Sequence, residues 1–111
     1  MAEIVTGFSA SHAPMMSADP MSAPEDLRKS FFGALTQVQD AVISSGAQAL
    51  VMMSGEHFTN FFLDNLPQIS VGLGESNLGP VEKWLGIERV EVPGSPALAD
   101  AILAGTIARG H

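Results

Sequence analysis

Residues Ser22–Met53, SAPEDLRKSFFGALTQVQDAVISSGAQALVMM, hold the pattern that decides the fold. Ser22-Ala23-Pro24-Glu25 offers a helix start. Ser22 supplies a capping hydroxyl, Glu25 follows three residues later, and Pro24 is tolerated in a first turn. Leu27, Phe31, Leu35, Val38 and Val42 come next at spacings of four, four, three and four, one apolar stripe of an amphipathic helix. Gly46 stands where a glycine would end that helix. Ala47–Met53, AQALVMM, then reads as a buried strand. Upstream, Ile4–Ala10 is short, apolar and free of proline, a second strand. Strand, helix and strand within about 50 residues make a βαβ unit, whose two strands run parallel. The expected fold is α/β, with a mostly parallel or mixed central sheet flanked by helices.

The remaining segments fit around this unit. Ser11–Ala23 reads as a loop with Pro14, Pro20 and three methionines, and Ser54–Pro67 as a second loop. Gln68–Leu73 alternates Ile69, Val71 and Leu73 with smaller neighbours, a third strand. Residues 74–86 read as irregular, and Val90–Val92 as a brief strand. Ser95-Pro96 opens a last helix running to about Arg109, with Gly105 inside it and Gly110 as its stop.

Composition narrows the function. The chain of 111 residues is long enough for one domain, 1–111. Apolar residues make up 46% and charged residues 15%, a globular balance rather than a disordered one. The mean hydropathy of +0.24 implies a sheet covered on both faces, or an apolar surface that meets further polypeptide. The net charge is −7 and the five basic residues are dispersed, so no basic stripe suits nucleic acid or an anionic membrane. No cysteine is present, which removes disulfides, thiolate nucleophiles and thiolate metal sites together. No signal peptide is legible, and no run approaches the ~18 unbroken apolar residues of a membrane span. A cytoplasmic protein is the expectation.

The chemistry rests on histidines. His12 follows the first strand by two residues, and His57 follows the second by four. Parallel strands finish at one sheet edge, where open α/β sheets bind ligands. Two of the three histidines are therefore expected in one crevice; His111 receives no role. Two neutral imidazoles suit iron, zinc, copper or nickel, and a carboxylate on the same face completes the facial triad of non-haem iron(II) oxygenases. Either histidine could equally be an ordinary surface residue. Glu56, Asp19 and Asp64 are nearby carboxylates, and none reads convincingly as a third ligand. Phe58, Phe61 and Phe62 could wall a slot for an aromatic ring, or simply pack their loop onto the sheet.

Two motifs carry a resemblance. Thr6–Pro14, TGFSASHAP, resembles the N-terminal SH-x-P segment of class III extradiol ring-cleaving dioxygenases. Glu56–Pro67, EHFTNFFLDNLP, followed by Ile69 and Gly72-Leu73-Gly74, is similar to that family's second metal motif, with Glu56 where many relatives carry Asp. The second motif is most similar to the 2,3-dihydroxyphenylpropionate branch, and the first is shared with protocatechuate and gallate dioxygenases. The resemblance implies that His12 and His57 are two of three protein ligands to Fe(2+); Phe58, Phe61 and Phe62 are the residues expected to contact the substrate. It implies insertion of O2 beside the hydroxyls of a catechol-type diol, opening the ring.

In this family the third ligand, a glutamate, and the acid/base histidines lie farther along than residue 111. By that implication the chain is the N-terminal part of a larger α/β domain. It then holds no catalytic acid or base of its own and is inactive alone, needing an oligomer or a partner chain to complete the fold. Two alternatives stay open: a zinc-dependent hydrolase built on the same histidines, and a non-catalytic subunit or diverged module of the same fold.

Overall fold

The computed structural model describes residues 2–55 and 57–110; Glu56 and His111 therefore lie outside the described residues. The order of elements is α1 (Met15–Ala18), a 3-10 turn (Pro20–Ser22), α2 (Glu25–Ser44), β1 (Ser76–Gly79), a 3-10 turn (Lys83–Leu85), β2 (Val90–Pro93) and α3 (Pro96–Ile107). Helices and a small sheet together make the chain broadly α/β. The chain divides into two units. The first comprises Met1–Val51 with Lys83–Ile87, and the second Met52–Glu82 with Glu88–His111.

In the first unit, α2 is the helix that the apolar spacing predicts, but it begins later than Ser22. Ala23 precedes a proline, which disfavours helical backbone there, and it is extended at φ −84 and ψ 147. Pro24 becomes the N-cap and the Ser22 hydroxyl is used elsewhere, donating to the Asp19 carbonyl at 2.8 Å. Glu25 and Asp26 place negative charge in the first turn, where the helix dipole favours it. Lys29 pairs with Glu25 at 2.6 Å one turn apart, an exposed pair that contributes roughly 0.3–0.5 kcal/mol.

Four of the five expected stripe positions hold, and Arg28 takes the place of Leu27 at its start. Arg28, Phe31, Leu35, Val38 and Val42 are the half-buried positions, while Leu27 is 61% exposed. The Phe31 and Phe32 rings meet edge to face with centroids 5.4 Å apart. At the far end Gly46 takes φ +66, the left-handed turn that glycine enters without a Cβ penalty, so the stop falls where expected.

In the second unit, β1 and β2 pair antiparallel, with Ser76 opposite Pro93 and Gly79 opposite Val90. The amide of Gly94 donates to the Glu75 carbonyl at 2.7 Å and extends the ladder by one step. A Cβ built on Gly94 would run into the carbonyl oxygen of Gly74, so this crossing demands glycine. Pro93 sits at the strand end, where its missing N–H costs least. After this ladder Ser95 caps α3 and Pro96 fills its first position. Gly105 does not interrupt α3, which ends at Ile107, and Gly110 turns the chain away at φ +84.

Strand positions are where the structure departs most from the sequence reading. Val90–Val92 is a strand, lengthened to Pro93, but its partner lies within 74–86, the stretch read as irregular. Segments 4–10, 47–53 and 68–73 stand outside any ladder among the described residues. A strand needs a neighbour to pair its N–H and C=O groups, and apolar composition alone does not supply one. The side chains of these segments stay open: Ile4 and Met53 are each 92% exposed.

The same holds more widely. Among the described residues no side chain is buried. The accessible surface is 9324 Å², whereas a folded monomer of this mass exposes about 5,800 Å². No helix is long and apolar enough to cross a membrane among the described residues.

Two glycine substitutions should act in opposite directions. Gly33 lies inside α2 with open space where a Cβ would project, so Gly33→Ala should stabilise the helix by about 0.5–1 kcal/mol. Gly94→Ala should instead open the β1–β2 ladder. Far-UV circular dichroism on heating reads the first, and amide exchange at residues 76–79 reads the second. Unchanged exchange in Gly94→Ala would count against the close crossing.

Candidate metal and ring-binding site

His12 sits in the first unit, in an extended segment without regular structure. Two residues later the chain turns into α1. The Met16 amide donates to the Ala13 carbonyl at 3.0 Å, and the Ala18 amide to the Pro14 carbonyl at 2.9 Å. Pro14 supplies the pre-set φ for that turn, at −62. His12 is thus exposed and held just ahead of a proline-initiated helical turn.

His57 sits in the second unit, also exposed and outside regular structure. Its Nε2 lies 3.8 Å from where a Gly55 Cβ would stand, so the ring leans back along its own segment. The next residue, Phe58, has φ +57. A bulky residue in the left-handed region is uncommon and costs roughly 1–3 kcal/mol. That turn swings the chain so that Phe58 and Phe62 come to one side.

A shallow, wide-open apolar depression of about 500 Å³ lies there, lined by Phe58, Phe62, Leu63 and Asp64, with Phe58, Phe62 and Leu63 themselves 53%, 59% and 84% exposed. Its walls are almost wholly apolar, with Asp64 as the one charged group. The turn is closed by the Asn65 amide, which donates to the Phe62 carbonyl at 2.9 Å. Farther along, the Thr59 hydroxyl donates to Glu82 Oε1 at 3.3 Å, a link across 23 positions that ties the turn to the segment before the Lys83–Leu85 turn.

Of the three phenylalanines expected at a ring-binding slot, Phe58 and Phe62 share this cavity. Phe61 is half-buried and is not among its walls. Asp64 belongs to the cavity and Asp19 to the turn after α1 in the first unit. Glu56, the carboxylate beside His57 in the motif, lies outside the described residues.

An imidazole is a ligand type that suits iron(II) and zinc alike, and His12 and His57 stand in different units. Among the described residues no three His, Asp or Glu side chains gather around one point. No family model matches the chain, and no curated protein or solved structure matches it.

The left-handed Phe58 had no signature in the sequence, since the residues that usually adopt this backbone are Gly, Asn and Asp. Neither did the Thr59–Glu82 link, which joins residues with no local relation. Replacing Phe58 by Asn should relieve the turn, because Asn tolerates left-handed backbone. Amide exchange across residues 57–64 should slow in Phe58→Asn while the cavity loses one wall. Faster exchange there would mean that ring packing, not backbone conformation, holds the turn.

Proposed function

We propose that this chain supplies two metal ligands and part of the ring pocket of a non-haem iron(II) extradiol dioxygenase acting on catechol-type diols. The observation that carries the proposal is the pair of motifs TGFSASHAP and EHFTNFFLDNLP, which place His12 and His57 in the order and spacing of that family. The apolar cavity beside His57, walled by Phe58 and Phe62, supports it as a slot for a flat ring.

In this reading His12 and His57 hold the iron as neutral imidazoles. Bound iron supplies the redox chemistry, bringing the diol and O2 together at open positions. The chain's own residues do simpler work. Phe58 and Phe62 offer apolar faces to the ring, and the left-handed turn at Phe58 sets their place beside the His57 segment. Phe61, half-buried next to Phe62, is the third ring of the proposed contact set.

The third ligand, a carboxylate, and the acid/base come from polypeptide that covers the apolar surface left open here. That added polypeptide also completes a mostly parallel or mixed central sheet, pairing segments 4–10 and 47–53. The 111 residues alone turn over little or nothing. A cytoplasmic setting accords with the absence of cysteine.

The test uses the natural polypeptide that carries these residues, loaded with Fe(2+) without oxygen and then given catechol and O2. One O2 should disappear per diol, and the product should gain both oxygen atoms by mass. His12→Ala and His57→Ala should each lower the rate by more than about 100-fold, since losing even an outer partner of a metal ligand costs 10–100-fold. Full activity in either variant would refute the ligand assignment. Turnover with zinc and no O2 uptake would instead establish a hydrolase.

A further inference from the structure

The peptide bond between Asp19 and Pro20, where α1 gives way to the Pro20–Ser22 turn, joins three features that the candidate metal site does not use. Its carbonyl oxygen accepts two hydrogen bonds from one residue, the Ser22 hydroxyl at 2.8 Å and the Ser22 amide at 3.2 Å. Its nitrogen is that of a proline, a tertiary amide with no N–H. Asp19 is exposed, and its carboxylate makes no hydrogen bond or ion pair with any described residue.

Each feature serves one part of an acyl transfer. An aspartic side chain closes a five-membered ring on its own carbonyl carbon by rotation about its own bonds, so nucleophile and electrophile need no bringing together. Donors fixed on the carbonyl oxygen stabilise the negative charge that gathers there during attack. The proline nitrogen then leaves as a secondary amine, and the exposure of Asp19 admits water to finish the reaction. The other aspartates lack the combination. Asp26, Asp40, Asp64 and Asp100 precede Leu27, Ala41, Asn65 and Ala101, whose nitrogens are secondary amides. Asp40 also has a serine hydroxyl on its carbonyl, that of Ser44 at 2.7 Å, but lies inside α2 with no proline after it.

We propose that the bond between Asp19 and Pro20 cleaves itself, with Ser22 as the donor to its oxyanion. An Asp19 side-chain oxygen attacks the Asp19 carbonyl carbon, and the displaced electron pair collects on the oxygen that Ser22 holds. Its return breaks the C–N bond, and the proton of the carboxyl passes to the Pro20 nitrogen. The new C–O bond leaves a cyclic anhydride at Asp19. One water opens that anhydride and restores the side-chain carboxyl beside a new C-terminal carboxyl. The net change is hydrolysis, with no oxidant, reductant or cofactor. Cleavage separates residues 1–19, which carry His12, from the residues that carry His57. The proposal does not depend on metal chemistry at those histidines, and either can stand without the other.

The test incubates the 111-residue chain in mild acid and at neutral pH, in ordinary and in heavy-oxygen water, and follows intact mass. Fragments 1–19 and 20–111 should appear together, faster in acid because the step uses the protonated carboxyl. One heavy oxygen should enter fragment 1–19 per cleavage. Ser22→Ala should slow the reaction by at least about 10-fold, since losing one oxyanion donor costs about 100–1,000-fold in enzymes. Ser22→Thr, which keeps a hydroxyl, should restore most of the rate. Asp19→Ala should stop cleavage. Concentrated urea separates the proposal from the ordinary acid lability of an aspartyl–proline bond. Unfolding removes Ser22 from the carbonyl, so the rate should fall by at least about 10-fold. The proposal fails if no fragments form, if Asp19→Ala still cleaves there, or if Ser22→Ala or the urea-unfolded chain cleaves as fast as the folded one.

Discussion

A backbone amide in an apolar segment has to find a partner, and in this chain the main regular pairings are within helices and across one four-residue ladder. The rest follows from that distribution. Helices α2 and α3 close their own hydrogen bonds and persist with their side chains half covered. Segments 4–10 and 47–53 are as apolar as strands, yet stand outside any ladder among the described residues. Their exposed Ile4, Leu50, Val51, Met52 and Met53 form the kind of surface that soluble chains normally cover. The mean hydropathy is +0.24, and no side chain is buried among the described residues.

This bears directly on the candidate metal site. His12 and His57 follow the two segments that would form parallel strands in a completed sheet. Pairing those strands is what would bring the two imidazoles to a common edge. In the proposed enzyme, therefore, covering the apolar surface and assembling the iron site are the same event. Metal sites behave this way generally, since ligands on separate segments are gathered by the folding that the metal then stabilises.

The cavity beside His57 and the cavity before α2 differ in what shapes them. Around Phe58 and Phe62 the backbone does the work: a left-handed residue turns the chain, and the Asn65 amide closes the turn behind it. Around Arg28 the helix does the work, because a residue at the start of the half-buried stripe projects toward the turn preceding α2. The sequence reading put Leu27 at the start of the stripe where the structure has Arg28, and the rest of the stripe agrees.

What the sequence determined by itself is what short-range physics controls. The span of α2, its stop at Gly46, the opening of α3 at Ser95-Pro96 and the turn at Gly110 all follow from residues within one helical turn of each other. The placement of both histidines in loops behind apolar segments was legible for the same reason. The tertiary structure decided the partner of Val90–Pro93, choosing Ser76–Gly79 over the more strand-like 68–73. It also decided the backbone of Phe58, the grouping of Phe58 with Phe62 and not Phe61, and the pairing of Thr59 with Glu82. A ladder or a cavity wall is made by residues far apart in the chain, and neither leaves a local mark, whereas a helix writes its beginning and end into its own neighbours.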